Sequence, residues 1–218
     1  MKTLIFDLDG TILDTLVDLK NAVNHGLNFR NLPKKGLEYV RKAIGNGTQV
    51  LIKRCTPCNI SDEERQIVFN EFKKYYLAHY DDNTVPYPGI KEMLTSLKGV
   101  CRLAVVSNKD DDLTNKLIRK CFPDTFDIIQ GSYLDKPKKP DPFLINKIIK
   151  DNKINKSDCL YIGDTDIDKQ SALNAGLEYL LVNYGYRTKK ELEKICPDDI
   201  SISSVKELLD SILLWVNS

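Results

Sequence analysis

No apolar run in this 218-residue chain approaches the roughly 18 residues that a membrane-spanning helix needs. Nor is there an excess of one charge. Lys and Arg number 32 against 31 Asp and Glu, a net charge of +1, so the basic footprint of a nucleic-acid or membrane-surface binder is missing. Histidine is scarce, with residues only at 25 and 79, and the six cysteines are scattered over positions 55, 58, 101, 121, 159 and 196. Their single C-x-x-C pair, Cys55 and Cys58, cannot complete a structural zinc site unless distant partners converge, and it follows no strand as a redox pair would. The amino terminus reaches Asp7 and Asp9 before any apolar stretch of signal-peptide length, so a cytoplasmic, reducing setting is expected. Internal repeats and low-complexity segments are absent as well.

What is present is ordinary for a globular chain, 42% hydrophobic and 29% charged, and long enough to bury a core without staples. Thr3 to Leu8 is an apolar run that stops at acidic residues, the pattern of a buried parallel strand opening onto a loop. Similar runs recur at Leu103 to Val106, Phe126 to Ile129, Leu160 to Ile162 and Tyr179 to Val182, separated by helical patterns. This alternation predicts βαβ units and a parallel sheet. In the final helix Val205, Leu208, Leu209, Ile212, Leu213 and Val216 form one apolar face.

Residues 16–82 read differently. Leu16, Leu19, Val23 and Leu27 share a helical face, and Ser61 to Glu64 is a capping box opening a helix that runs toward Tyr80. The expected organisation is an α/β core of residues 1–15 and 83–218, interrupted by an all-helical insertion placed to act as a lid.

Four polar clusters each follow a strand, and in an open parallel sheet such ends meet in one crevice. Asp7-Leu8-Asp9-Gly10-Thr11 carries two carboxylates on one side, which a hard divalent cation would satisfy. Ser107-Asn108 supplies small hydrogen-bond donors. Lys139 stands in Lys139-Pro140-Asp141-Pro142, held by prolines before a helix. Gly163-Asp164-Thr165-Asp166-Ile167-Asp168 places Asp164 and Asp168 one helical turn apart. Each cluster alone reads as a turn or a helix cap. Together they supply metal-binding carboxylates, a nucleophilic carboxylate, and a cation with a hydroxyl for phosphoryl oxygens, the kit for phosphoryl transfer through an aspartyl-phosphate.

In these four clusters, and in a helical cap inserted after the first, the chain resembles the haloacid-dehalogenase-like hydrolase superfamily over nearly its whole length. Within it the chain is most similar to phosphoglycolate phosphatases, through Ile44-Gly45-Asn46-Gly47, Tyr87-Pro88-Gly89, Lys138-Lys139-Pro140-Asp141-Pro142 and Tyr184-Gly185-Tyr186. The resemblance implies a Rossmann-like core and Asp7 as nucleophile, with Asp9 as the acid that protonates the leaving oxygen and later activates water. It implies Mg2+ held by Asp7, the Asp9 carbonyl and Asp164, with Asp168 as a water-mediated or orienting partner. Ser107, Asn108 and Lys139 would bind the phosphoryl group, and Gly45, Asn46, Gly47 and Thr48 would form a substrate-specificity loop. Asp166 receives no role. The implied partner is a small phosphorylated substrate such as 2-phosphoglycolate, acted on by a monomer or homodimer. Pyrophosphate or general small phosphoesters fit the same motifs. A sugar-phosphate mutase would need a cap arginine, for which only Arg41, with Lys42 beside it, stands near. A non-catalytic binder is disfavoured by the intact Asp7 and Asp9.

Overall fold

In the computed structural model, which describes residues 1–218, the first apolar run becomes β1 (Thr3–Phe6), wholly buried and paired in parallel on both sides. The chain continues through β2 (Leu13–Asp14), α1 (Leu16–Phe29), α2 (Leu37–Ala43), α3 (Thr48–Cys55), α4 (Asp62–His79) and β3 (Val85–Pro86). It then alternates: α5 (Ile90–Leu97), β4 (Arg102–Asp110), α6 (Asp111–Cys121), β5 (Ile128–Ser132), α7 (Phe143–Asp151), β6 (Cys159–Gly163), α8 (Asp166–Ala175) and β7 (Glu178–Val182). The chain closes with α9 (Lys189–Ile195), β8 (Ser201–Ile202) and α10 (Val205–Asn217). Two units result, one of residues 1–13 with 86–218, the other of residues 14–85. The crossings fall inside β2 and β3, two-residue strands that pair with each other and are too short to show in the hydropathy pattern.

The second unit is built on α1 and α4. Gly26 lets their backbones approach, since a Cβ there would sit 2.5 Å from the Val68 carbonyl. Leu19, Ala22, Val23 and Leu27 fill the α1 face. The Ser61 hydroxyl accepts from the Glu64 N–H at 3.1 Å, and the Glu64 carboxylate accepts from the Ser61 N–H at 3.4 Å, forming the capping box that starts α4. Buried Asp18 on α1 accepts from the Asn83 backbone and side chain and from the Thr84 hydroxyl, tying the end of the unit to its beginning.

In the first unit all neighbouring strands are parallel and lie in the order β5-β4-β1-β6-β7-β8. Counting only these strands, that is the order 3-2-1-4-5-6 of a doubly wound sheet, and β1 lies at its switch point between β4 and β6. The residues after these three strands therefore share one crevice. Ile5, Val106 and Tyr161 pack against Leu144, Ile145 and Ile148 of α7 and Ala172 of α8.

Two strands differ from expectation. β4 runs past Val106 to Asp110, with a register shift against β5, so Ser107 and Asn108 lie within the strand. β5 begins two residues later than the apolar run, because Phe126 packs edge-on against Phe6 and Phe122. Its polar end stays paired because those groups are satisfied: Gly131 N–H donates to Asp111 Oδ1 at 2.7 Å and the Ser132 hydroxyl to the Asn108 carbonyl at 2.9 Å. On α10 only Leu208 and Ile212 of the expected face are buried, and Leu213 is exposed.

Candidate active site

Asp7 extends the ladder of β1 by one residue, its N–H donating to the Ile162 carbonyl at 2.9 Å. The chain then turns back on itself. The N–H groups of Ile12 and Leu13 both point at the Leu8 carbonyl, at 3.1 and 3.0 Å, and Gly10 N–H donates to the Leu13 carbonyl at 2.9 Å. Gly10 has φ +92, a conformation that L side chains rarely adopt, and a Cβ there would lie 2.4 Å from Asp164 Oδ2. The tight turn thus brings the Asp7 loop against the end of β6.

Lys139 enters from the loop after β5. The Asn108 side chain clamps its backbone, accepting from Lys139 N–H at 2.7 Å and donating to its carbonyl at 3.1 Å. So anchored, buried Lys139 Nζ donates to Asp7 Oδ1 at 2.6 Å, to Asp168 Oδ1 at 2.7 Å and to the Tyr161 hydroxyl at 3.0 Å. Tyr161 O–H in turn donates to Asp168 Oδ1 at 3.2 Å.

The third side is the start of α8. Thr165 is its N-cap and Asp168 its third residue, joined in a capping box in which Asp168 Oδ2 accepts from the Thr165 hydroxyl and N–H at 2.6 and 3.1 Å. Asp164 therefore precedes the helix and is not one turn from Asp168 along it. Its Oδ2 accepts from Tyr186 N–H at 2.6 Å, and its Oδ1 from the Thr11 hydroxyl at 3.3 Å. Gly185 makes room for this contact, since a Cβ there would fall 2.0 Å from the Gly10 carbonyl.

One oxygen from each of Asp7, Asp164 and Asp168 lies within 4.8 Å of the others, all three residues being buried. The consequence is electrostatic. Burial raises Asp7 from 3.8 to about 7, and the charges of Asp168 and Asp9 add to the shift that Lys139 opposes. Burial, then the charges of Asp168 and Asp7, push Asp164 well above the carboxylate range. Asp168 goes the other way: burial acts to raise it, but the charge and hydrogen bond of Lys139, with the hydrogen bonds of Thr165 and Tyr161, hold it low. Lys139 stays charged despite burial because Asp168 and Asp7 flank it.

This set fits a hard divalent cation. Three carboxylates offer oxygen donors, and two of them are pushed above their ordinary range by burial and by the charge of neighbouring acids, which a cation would offset. Asp168 has both oxygens engaged by Lys139 and the α8 cap, which suits an orienting role better than direct ligation.

Asp9 stands apart. Its carboxylate pairs with buried Lys109 Nζ at 2.9 Å. Ser107 Oγ accepts from Lys109 N–H at 3.1 Å, so its hydroxyl proton remains to be donated. Asp166 is partly exposed, 3.8 Å from Arg187. Gly45, Asn46, Gly47 and Thr48 belong to the helical unit, where Gly47 caps α3 and the Arg54 guanidinium donates to Asn46 Oδ1 at 2.8 Å. Arg41 in that unit is buried against Glu38. Cys55 is buried, Cys58 is exposed, and both are free thiols. Sequence reasoning missed Lys109 and Tyr161. A tyrosine in a fully buried strand was the available signal for the second, because its hydroxyl needs a partner.

The fold and this cluster define a class. The family model for haloacid dehalogenase-like hydrolases matches residues 4–182, and the chain belongs to that family. It is a hydrolase of the phosphatase type. The chain is 34% identical over 207 residues to a phosphoglycolate phosphatase of Nitrosospira multiformis, covering 92% of this chain and 91% of that protein. It is 32% identical to a phosphoglycolate phosphatase of Aquifex aeolicus over 85% of this chain and 86% of the relative. Among solved structures, a predicted phosphoglycolate phosphatase from Haemophilus somnus superposes with a TM-score of 0.86 at 28% identity, covering 98% and 97% of the two chains. No helix is long and apolar enough to cross a membrane.

Proposed function

We propose that this chain is a magnesium-dependent phosphomonoester hydrolase that works through an Asp7 phosphoryl intermediate on 2-phosphoglycolate or a similar small phosphorylated acid. The observation that carries the reading is the division of labour among the acids: Asp7 is fixed by Lys139 beside Asp164 and Asp168, while Asp9, two residues on, is turned to Lys109.

In the first step the Asp7 carboxylate bonds to phosphorus and the ester P–O bond breaks, its electron pair leaving on the ester oxygen as Asp9 gives that oxygen a proton. Ser107 and Lys139 donate to the phosphoryl oxygens, with Asn108 keeping Lys139 in place. In the second step water attacks the phosphorus of the aspartyl-phosphate and gives its proton to Asp9, releasing phosphate and restoring Asp7. Asp7, the Asp9 carbonyl and Asp164 would hold a magnesium ion, oriented by Asp168. Such an ion supplies the positive charge that lets an ionised Asp7 meet an anionic phosphoryl group. The assignment of substrate choice to Gly45, Asn46, Gly47 and Thr48 rests on the family resemblance.

A panel of phosphate esters that includes 2-phosphoglycolate, pyrophosphate and hexose phosphates, compared by kcat/KM with magnesium and with EDTA, tests the reading. Magnesium-dependent turnover with phosphoglycolate preferred is expected. Equal rates in EDTA would overturn the metal requirement, and a flat ranking would remove the substrate while leaving the phosphatase.

A further inference from the structure

Lys109 follows Ser107 and Asn108 in β4 and is absent from the roles assigned so far. Its side chain is 4% exposed and its ammonium meets Asp9 Oδ1 at 2.9 Å. The ammonium donates to Asp9 through Oδ1, a contact that Asp9 can keep while its other oxygen carries the proton of the first step. The backbone holds the lysine as firmly. Its N–H is bound by Ser107 Oγ at 3.1 Å, and its carbonyl accepts from the buried Thr114 hydroxyl at 3.3 Å, at the register shift of β4. β4 neighbours β1 in the sheet, and across that boundary the Lys109 side chain reaches Asp9 in the loop after β1.

The contact has a directional effect on Asp9. Asp7, Asp164 and Asp168 converge within 4.8 Å of one another, and Asp9 is not a member of that group although it stands only two residues from Asp7. An ammonium at 2.9 Å draws the fourth carboxylate away from the cluster and fixes its rotamer. Resting on the phosphatase reading above, we propose that Lys109 is a positioning residue that holds the Asp9 carboxylate toward the leaving-group oxygen and off the acidic cluster.

Such a role differs between leaving groups. A departing alkoxide needs its proton as the P–O bond breaks, whereas p-nitrophenolate departs without one. The quantity to compare is kcat/KM, which ends at phosphoryl transfer and excludes the later water step common to all substrates. In Lys109→Met, kcat/KM for 2-phosphoglycolate should fall about 10- to 100-fold, a part of the 10²–10⁴ typical of general acid catalysis. With p-nitrophenyl phosphate it should change less than about 3-fold, and Lys109→Arg should recover part of the phosphoglycolate rate. Equal falls for both esters would mark a merely structural lysine and overturn the proposal. A crystal structure of Lys109→Met, or of Lys109→Arg if the first variant does not fold, provides a test independent of turnover. Loss of the Asp9 orientation in Lys109→Met, or its retention through the guanidinium in Lys109→Arg, is expected. An unmoved Asp9 in Lys109→Met, or a displaced one beside an ordered Arg, overturns the proposal. A wild-type protein inactive on both esters would instead remove the phosphatase reading, and the structural arm would still decide the positioning role.

Discussion

Lys139 Nζ lies 2.6 Å from Asp7 Oδ1, across 132 residues of chain. The orientation of the candidate nucleophile is therefore set by the loop after β5, two strands away in the sheet, itself fixed by Asn108 on β4 between them. The same ammonium binds Asp168, so one cation holds two of the three clustered carboxylates.

Removing that cation should be severe. Lys139→Met leaves Asp7 and Asp168 buried without the cation they share, and breaking a buried pair in this way costs about 3–5 kcal/mol. At about 2–4 °C per kcal/mol for a chain of this size, the Tm in EDTA should drop by about 6–20 °C. Magnesium should restore part of it by supplying positive charge to the same acids. Thermal melts with and without magnesium check both statements, and a variant that melts like the wild type contradicts them.

Asp164→Asn should separate metal binding from stability. Burial, with the charges of Asp168 and Asp7, pushes this carboxyl well above its usual range, and Asn, a neutral side chain, preserves its shape. The Tm in EDTA should move by less than about 3 °C, within the ordinary range of a tolerated substitution. The magnesium-induced rise in Tm should vanish, with turnover lowered about 100-fold or more through loss of a hard oxygen ligand. A persistent magnesium effect would exclude Asp164 as a ligand.

The metal-free protein should lose stability as pH rises from about 4 to 7. Asp7 binds its proton more tightly folded, at about 7, than at its ordinary 3.8, so its contribution is complete below 3.8 and lost as pH climbs through 7. Asp164 acts in the same direction. Asp168, held low, loses its stabilising contribution only in stronger acid. Magnesium favours the ionised acids, so the Tm gap between magnesium and EDTA should widen with pH across this window. A gap that does not change with pH would contradict the assignment.

Gly185→Ala should destabilise the site without altering its charges. The added Cβ would meet the Gly10 carbonyl at 2.0 Å and Asp164 Cβ at 2.7 Å, and neither can swing aside as a long side chain could. Overpacking of this kind costs about 1–3 kcal/mol, or about 2–12 °C in Tm. The apparent magnesium affinity should weaken too, because the Tyr186 N–H that orients Asp164 is displaced. Calorimetry on Gly185→Ala measures both, and unchanged values would show that the turn is more pliable than its packing implies.

What could be read from the amino acids alone was what short stretches dictate. Leu4, Ile5 and Phe6 are buried on both faces of a parallel strand, so an unbroken apolar run suffices to mark it. The Ser61 to Glu64 capping box is legible because its partners are three residues apart. The order of acidic and basic clusters after the strands pointed to one crevice for the same reason, since parallel strands send all their carboxyl ends the same way. The tertiary structure decided which groups meet. Lys139 with Asp7, Lys109 with Asp9, and Tyr161 with both Lys139 and Asp168 depend on strand neighbours and a register shift that no local pattern encodes. Polar Gln130 to Ser132 could join β5 only because Asp111 and Asn108 complete their hydrogen bonds. Backbone propensity and capping act over a few residues, whereas the upward shifts of Asp7 and Asp164 follow from burial and from acids brought together there, and that environment exists only in the folded chain.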